Sequence, residues 1–465
     1  MKKKSTIIYT FLILAFFNCI NLCQAQFSTL YNFTGVSDGR NPLNSLISDG
    51  TFLYGMTVYG GTIDSGTVFK IKPDGTNHSI VLNFGGATNG KCPNGSLYYD
   101  GTFLYGMTLQ GGIHNKGTVF KIQPDGSGYS KLLDFSGFSN GSTPRGSLIF
   151  DGIFLYGMTS EGGTSNKGVI FKIKPDGTSY TKLLDFTGIA NGNCPIGSLI
   201  SIGSFLYGMT SGVNVSNGNI FKIKPDGTGF VQLMNFTGPN GGSPMGALIT
   251  DGTFLYGMTS TGGAGSKGVI FKIKPDGTEY SKLLDFSGVA NGSYPEGSLI
   301  SVGSYLYGIT QNGGANTDGG TLFKIKTDGT EYAKLHDFIS GYYPQGSPFF
   351  NDNSIFGVTT WAGTGSCSSG CGTLFKYGVS TAGIAENSET NDLIVYPNPN
   401  NGIFTIAVTE KYNRLVITSI LGEVVCQSEI KNLQSEIDLS KQSKGIYFVK
   451  MYDGKRIHTE KVIVQ

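Results

Sequence analysis

Charge is scarce in this 465-residue chain: acidic and basic side chains make up 14% of it, with 34 Lys and Arg against 32 Asp and Glu. No basic stripe runs through it, which excludes a nucleic-acid partner. Only four histidines occur, His78, His114, His336 and His458; they are scattered, with no second ligand at metal spacing and no HExxH. No G-x-S-x-G elbow stands in a strand–helix setting. A glycosidase needs two carboxylates across a cleft, and the acids that do not recur, Asp38, Asp64, Glu161 and Glu296, qualify by location alone. Tryptophan is limited to Trp361, and beyond residue 25 no apolar run is long enough to span a membrane. These absences leave no metal, no cofactor and no enzyme as the expectation.

Glycine, by contrast, is abundant at 71 residues, and an apolar content of 39% excludes disorder as the reason. The phrase Leu-Tyr-Gly-Met-Thr, or a variant of it, places Gly55, Gly106, Gly157, Gly208, Gly257, Gly308 and Gly357 at intervals of 49 or 51 residues. Each repeat holds four β segments, in the third repeat 146–150 (GSLIF), 154–159 (FLYGMT), 168–174 (GVIFKIK) and 180–186 (YTKLLDF). Apolar, aromatic and β-branched residues alternate there with period two, which marks strands. Such a unit cannot bury both faces alone, so copies must stack. Residues 27–33 (FSTLYNF) form a fourth-strand phrase before any first strand, and 372–376 (GTLFK) form a third strand with no fourth after it. Together they complete one unit and remove an exposed edge. The expected fold is all-β: a seven-bladed β-propeller over 26–378, closed by its N-terminal strand.

The connections are of two kinds. Asp151-Gly152 and Pro175-Asp176-Gly177-Thr178 are tight turns: Pro presets φ, Asp bonds nearby amides, and Gly accepts a positive φ. Asp176, Asp226 and Asp276 are accordingly turn residues, and the glycine of each Leu-Tyr-Gly phrase is read as allowing close backbone approach. The loops at 160–167 and 187–196 are longer. Antiparallel order sets all tight turns at one end of the blades and all long loops at the other. Binding residues favour variable loops on a rigid scaffold, so function is expected at the long-loop end.

The seventh repeat departs most there. Tyr342 and Tyr343 stand where other repeats read NGS or NGN, and Trp361 lies in the next loop. These three are the candidate ligand-binding residues, an aromatic platform for a sugar ring; the competing reading has Trp361 packing locally. Cys367 and Cys371 share a Gly/Ser loop and are expected to form a disulfide, with zinc as the rival. Cys92 and Cys194 occupy equivalent sites two repeats apart, too far to bond.

Residues 1–25 read as a secretion signal, with Lys2, Lys3 and Lys4 before an apolar run. Losing it takes away three lysines and no acid, which leaves the rest near neutral, with no transmembrane segment. Residues 379–392 are polar and without alternation, a linker. From 393 to 465 a new β pattern suggests a small Ig-like β-sandwich.

That last region carries Tyr396, Pro397, Asn398 and Pro399, then Asn401 and Gly402, then 417–424 (ITSILGEV), then Gly445 and Tyr447 within GIYFV, and 461–464 (KVIV). In these residues and their order it resembles the type A sorting domain of the type IX secretion system of Bacteroidota. The resemblance implies transport across the outer membrane, with the secretion machinery and a sortase-like peptidase as partners, and surface attachment or release. The repeats resemble the Gloeo/Verruco-type tandem repeat, carried by GG…GTVFK at Gly111-Gly112 and 117–121 and by the turn at 124–127. In the order of doublet glycine, strand and turn they also look kelch-like, without the tryptophan of kelch repeats. The leading functional expectation is an exported surface or secreted module that binds a glycan or a surface protein. The alternatives are an extracellular polysaccharide-degrading enzyme and a ligand-free surface structural protein.

Overall fold

The structure, a computed structural model, describes residues 27–212, 216–315, 318–339, 341–365, 367–368, 370–379, 393–396, 400, 402–408, 414–419, 424–429, 434–443, 445–452 and 457–464. The expected secretion signal and nearly all of the expected linker lie outside the described residues. The chain divides into two compact units between residues 380 and 381. All the regular elements among the described residues are strands.

The first unit holds seven antiparallel sheets of four or five strands. In the third, Ile149–Phe150, Leu155–Thr159, Val169–Ile173 and Thr181–Asp185 pair in chain order. Every residue of Leu155–Thr159 is buried, because a neighbouring sheet covers each face. Leu155 packs with Tyr105, Met107 and Val119 of the second sheet, while Tyr156 and Met158 pack with Leu206, Phe221 and Ile223 of the fourth. Period-two alternation thus sorts side chains between two apolar interfaces rather than between core and water. Clusters of this kind join each sheet to the next. A further one sets Leu53, Phe69 and Ile71 of the first sheet against Phe356, Val358 and Leu374 of the seventh.

The seventh sheet takes its outer strand from the start of the described chain. Phe27–Asn32 pairs with Thr373–Gly378, with Phe27 opposite Tyr377 and Asn32 opposite Thr373. The split phrase recognised in the sequence is therefore one sheet.

Two local expectations change. Gly157 stands opposite Phe171 in the ladder, and a Cβ on it would lie 2.6 Å from Phe171 Cζ and 3.0 Å from Leu148 Cδ2. The glycine makes room for an aromatic ring, not for another backbone. The first strand is also shorter than 146–150, because only Ile149 and Phe150 join the ladder. Ser147 turns to the next sheet instead, its amide donating to Ser198 Oγ at 2.7 Å.

At the tight-turn end, Asp151 Oδ1 accepts the amides of Ile153 and Phe154, and its Oδ2 accepts the Tyr156 hydroxyl at 2.7 Å. The pairs Asp49–Tyr54, Asp100–Tyr105 and Asp251–Tyr256 repeat this clamp. Asp176, Asp226 and Asp276 each accept the amide and hydroxyl of the threonine two residues on, as turn residues should. Lys172 Nζ donates to Pro225 O in the adjacent sheet's turn at 3.0 Å and lies 4.6 Å from the Phe154 ring centroid.

The second unit holds a three-stranded sheet, Leu393–Tyr396, Ile403–Val408 and Gln434–Asp438, and a four-stranded one. The latter orders Val424–Ser428, Arg414–Ser419, Gly445–Tyr452 and Ile457–Val464. Phe404 and Ile406 of one sheet and Leu415, Ile417, Val449 and Val462 of the other form one apolar cluster.

Candidate functional site

Just before Ile149–Phe150 and the matching strand of every other sheet the chain reads Pro-X-Gly-Ser-Leu or a near variant, as at 144–148, and only X changes every time. X is Leu43, Asn94, Arg145, Ile196, Met245, Glu296 and Gln345 in turn. These seven residues line a single pocket, a cavity of about 330 Å³.

The fixed residues explain how they converge. A Cβ on Gly146 would sit 2.3 Å from Gly197 O, one on Gly197 2.1 Å from Gly246 O, and one on Gly346 2.7 Å from Leu43 O. Glycine lets six of the seven innermost segments press this closely on the next, while the first carries Asn44 there. Serine hydroxyls stitch the same segments. Ser96 N donates to Ser147 Oγ, Ala247 N to Ser298 Oγ, and Ser298 N to Ser347 Oγ, each at 2.7 Å. The segments enter from the long loops between sheets, so the pocket lies toward the long-loop end.

Arg145 and Glu296 are the two charged residues in the lining. Gln345 Nε2 donates to Glu296 Oε2 at 3.0 Å, and Thr360 Oγ1 donates to Gln345 Oε1 at 3.0 Å, which fixes the amide's orientation. Burial pushes the Glu296 carboxyl up, against the opposing pull of the Gln345 bond and of the Arg145 charge. Among the described residues Arg145 makes no ion pair. In sheet order Ile196 and Met245 stand between the two charges on one side, and Gln345, Leu43 and Asn94 on the other.

The other acids that do not recur have local duties. Asp38, buried, accepts the amides of Thr34 and Gly35 and the Tyr31 hydroxyl. Asp64 pairs with Arg40 at 2.7 Å. Glu161 accepts the Thr143 hydroxyl at 3.2 Å. Two histidines are packing residues: His78 stacks on Tyr31 at 4.3 Å and His336 on Phe27 at 3.8 Å, and burial lowers the pKa of both.

The three expected aromatic residues separate. Tyr343 and Trp361 meet edge to face, with centroids 6.4 Å apart, and Trp361 is 42% exposed. Tyr342 packs inward against Phe338, 6.2 Å away, in the cluster between the sixth and seventh sheets. Trp361 directly follows Thr360, the residue that holds Gln345 in the pocket. Cys367 and Cys371 form the disulfide, Cα to Cα 5.3 Å, while Cys92 and Cys194 are free.

Of the sorting residues, Tyr396 ends its strand exposed. Gly402 has φ +102° and lies against the Ser440 backbone, where a Cβ would come within 2.6 Å. Gly445 and Tyr447 belong to the strand Gly445–Tyr452, and the Tyr447 ring is buried. Pro397, Asn398, Pro399 and Asn401 lie outside the described residues.

The pocket was missed in the sequence, where Glu296 stood out only as an acid that does not recur. The signal was a position that changes in all seven copies between neighbours that hardly change.

The Gloeobacter/Verrucomicrobia repeat matches residues 17–152, 99–253 and 233–386. The secretion system C-terminal sorting domain matches residues 394–465. No curated protein matches the chain. Among solved structures, a puromycin-hydrolyzing peptidase of Mycobacterium tuberculosis is similar at a TM-score of 0.50 and 10% identity, over 83% of this chain and 62% of that one. PorZ, a surface component of the type IX secretion system of Porphyromonas gingivalis, is similar at a TM-score of 0.47 and 16% identity, over 93% of this chain and 60% of that one. This chain thus spans about three fifths of the length of each, and at such identities the similarity concerns fold alone. The sorting domain marks the protein for type IX export to the cell surface or the extracellular space, and so for contact with that machinery. Among the described residues no helix is long and apolar enough to cross a membrane. With repeat matches running from residue 17 to residue 386, the chain belongs to the Gloeobacter/Verrucomicrobia repeat family and ends in a secretion system C-terminal sorting domain.

Proposed function

We propose that the protein is an exported binding module: a seven-bladed β-propeller over 26–378, closed by its N-terminal strand, that takes up a ligand in the pocket between its innermost segments. Closure is supported by the Phe27–Asn32 pairing and by the cluster joining the first and seventh sheets. Residues 1–25 act as the signal, 379–392 as a linker, and 393–465 as an Ig-like sandwich that a sortase-like peptidase removes. The binding role rests on one observation, seven different side chains at a position that the repeat leaves free between near-constant neighbours, all lining one cavity. Stability alone would be served by the same residue seven times. The module works without catalysis in this reading, since the lining offers one carboxylate, Glu296, where polysaccharide hydrolysis needs a pair.

A pull-down of cell-envelope components by the full-length chain tests this, with Met245→Trp as the variant that fills the pocket. Capture lost in the variant supports the reading; capture unchanged overturns it. A second reading places a glycan on Tyr343 and Trp361, favoured by the exposure of Trp361. Glycan-array binding that Trp361→Ala abolishes and Met245→Trp leaves intact would favour that reading instead.

A further inference from the structure

The chemistry of the seven lining residues narrows what the pocket takes, granted that it is a binding site. Five of them are neutral. The two charges are opposite in sign, and they sit on the third and sixth sheets rather than on neighbours. Arg145 makes no ion pair among the described residues, so the two do not neutralise one another by direct contact. A half-buried guanidinium without a carboxylate partner is poised to bind an anion, and its planar fork fits a carboxylate in bidentate fashion. Glu296 receives one bond from an amide held in place by Thr360 and keeps further acceptor capacity. Ile196 and Met245 form an apolar stretch between the two charges, where only dispersion and desolvation contribute. The cavity, about 330 Å³, sits at the low end of small-molecule sites.

We propose that the pocket binds a small zwitterion of the amino-acid or short-peptide class, its carboxylate on Arg145, its ammonium on Glu296 and its aliphatic body against Ile196 and Met245. A ligand with one charge would leave the other protein charge half-buried and unpaired, which is costly. A neutral sugar would leave both. The zwitterion satisfies the two at once, and charges fixed by the scaffold lose little on binding.

The test is calorimetric titration of the full-length chain with L-leucyl-L-leucine, its N-acetyl derivative, its C-terminal amide, and N-acetylglucosamine as a neutral probe. The free dipeptide is expected to bind, and blocking either end is expected to weaken it by about tenfold or more. Glu296→Gln should erase the difference between free and N-acetylated peptide. Arg145→Gln should erase the difference between free and amidated peptide. Because each variant changes a selectivity, a merely structural role for either residue would not reproduce the pattern. Blocked forms binding as tightly as the free one would overturn the proposal. So would N-acetylglucosamine binding that Met245→Trp abolishes, an outcome that keeps the pocket as the site. No heat with any peptide also overturns it, and the envelope pull-down with Met245→Trp then shows whether the binding reading falls as well.

Discussion

The two ends of the sheets are built on opposite plans. At the tight-turn end the chain repeats itself: Asp151 clamps Tyr156 as Asp49, Asp100 and Asp251 clamp Tyr54, Tyr105 and Tyr256, and Asp176 caps its turn as Asp226 and Asp276 do theirs. At the long-loop end it diversifies: seven different residues enter one pocket, and one loop of the seventh sheet adds a disulfide and a half-exposed tryptophan. A chain made of near-copies acts as its own control. What recurs answers to the sheet, and what changes inside a recurring phrase is free to answer to a ligand.

The largest test breaks the recurring part. Gly157→Ala would drive a methyl into Phe171, and we expect it to cost about 3 kcal/mol, read as a lower urea midpoint. If it were neutral, the glycine would not be there for the ring. Next, removing the Cys367–Cys371 disulfide by a double serine replacement should cost about 2 kcal/mol. That loss should stay local, faster hydrogen exchange around 361–372 with the third sheet unchanged, since the bond belongs to the diversified end. A smaller effect separates sheets with a clamp from those without. Tyr156→Phe should cost about 1 kcal/mol near neutral pH. Tyr207→Phe, in a sheet that reads Ile202-Gly203 in place of Asp151-Gly152, should cost less than about 0.5 kcal/mol.

The clamp also predicts a pH dependence. Burial pushes the Asp151 carboxyl up, but the Phe154 and Ile153 amides and the Tyr156 hydroxyl together outweigh it and hold it below the usual carboxylate range. A carboxyl depressed in the folded state stabilises above its unfolded pKa and loses that contribution as pH falls through its folded value. The gap between wild type and Tyr156→Phe should therefore close from about pH 4 downward. A gap that widened there would contradict the clamp. The smallest expected change is Trp361→Ala, within about 0.5 kcal/mol in stability, so any loss of binding in that variant reports recognition rather than unfolding.

Sequence and structure agree where period and turn chemistry leave little choice. Four strands of each repeat, the Asp-Gly and Pro-Asp-Gly turns, and the split seventh sheet all follow from alternation and segment order; the extra strands Arg40–Pro42 and Lys91–Pro93 of the first two sheets do not. Agreement weakens where one sheet acts on another. Ser147 looks like strand residue to any local pattern, but its amide belongs to the neighbouring sheet. Gly157 looks like a backbone contact, but the space is taken by a ring across the ladder. Tyr342 and Tyr343 are adjacent and alike, and only packing against Phe338 tells which one turns inward. The pocket hid because variation at X reads as tolerance until the seven positions are found side by side.

The pairing of residue 27 with residue 377 bears on when the molecule is finished. Contacts so distant in sequence form late, since closing a loop of that length costs on the order of 5 kcal/mol of chain entropy before any hydrogen bond repays it. Phe27–Asn32 must therefore wait, unpaired, until Thr373–Gly378 has been made. Until then the third strand of the seventh sheet keeps an open edge, and the slowest folding phase should be the one that protects the amides of Phe27–Asn32 and Thr373–Gly378.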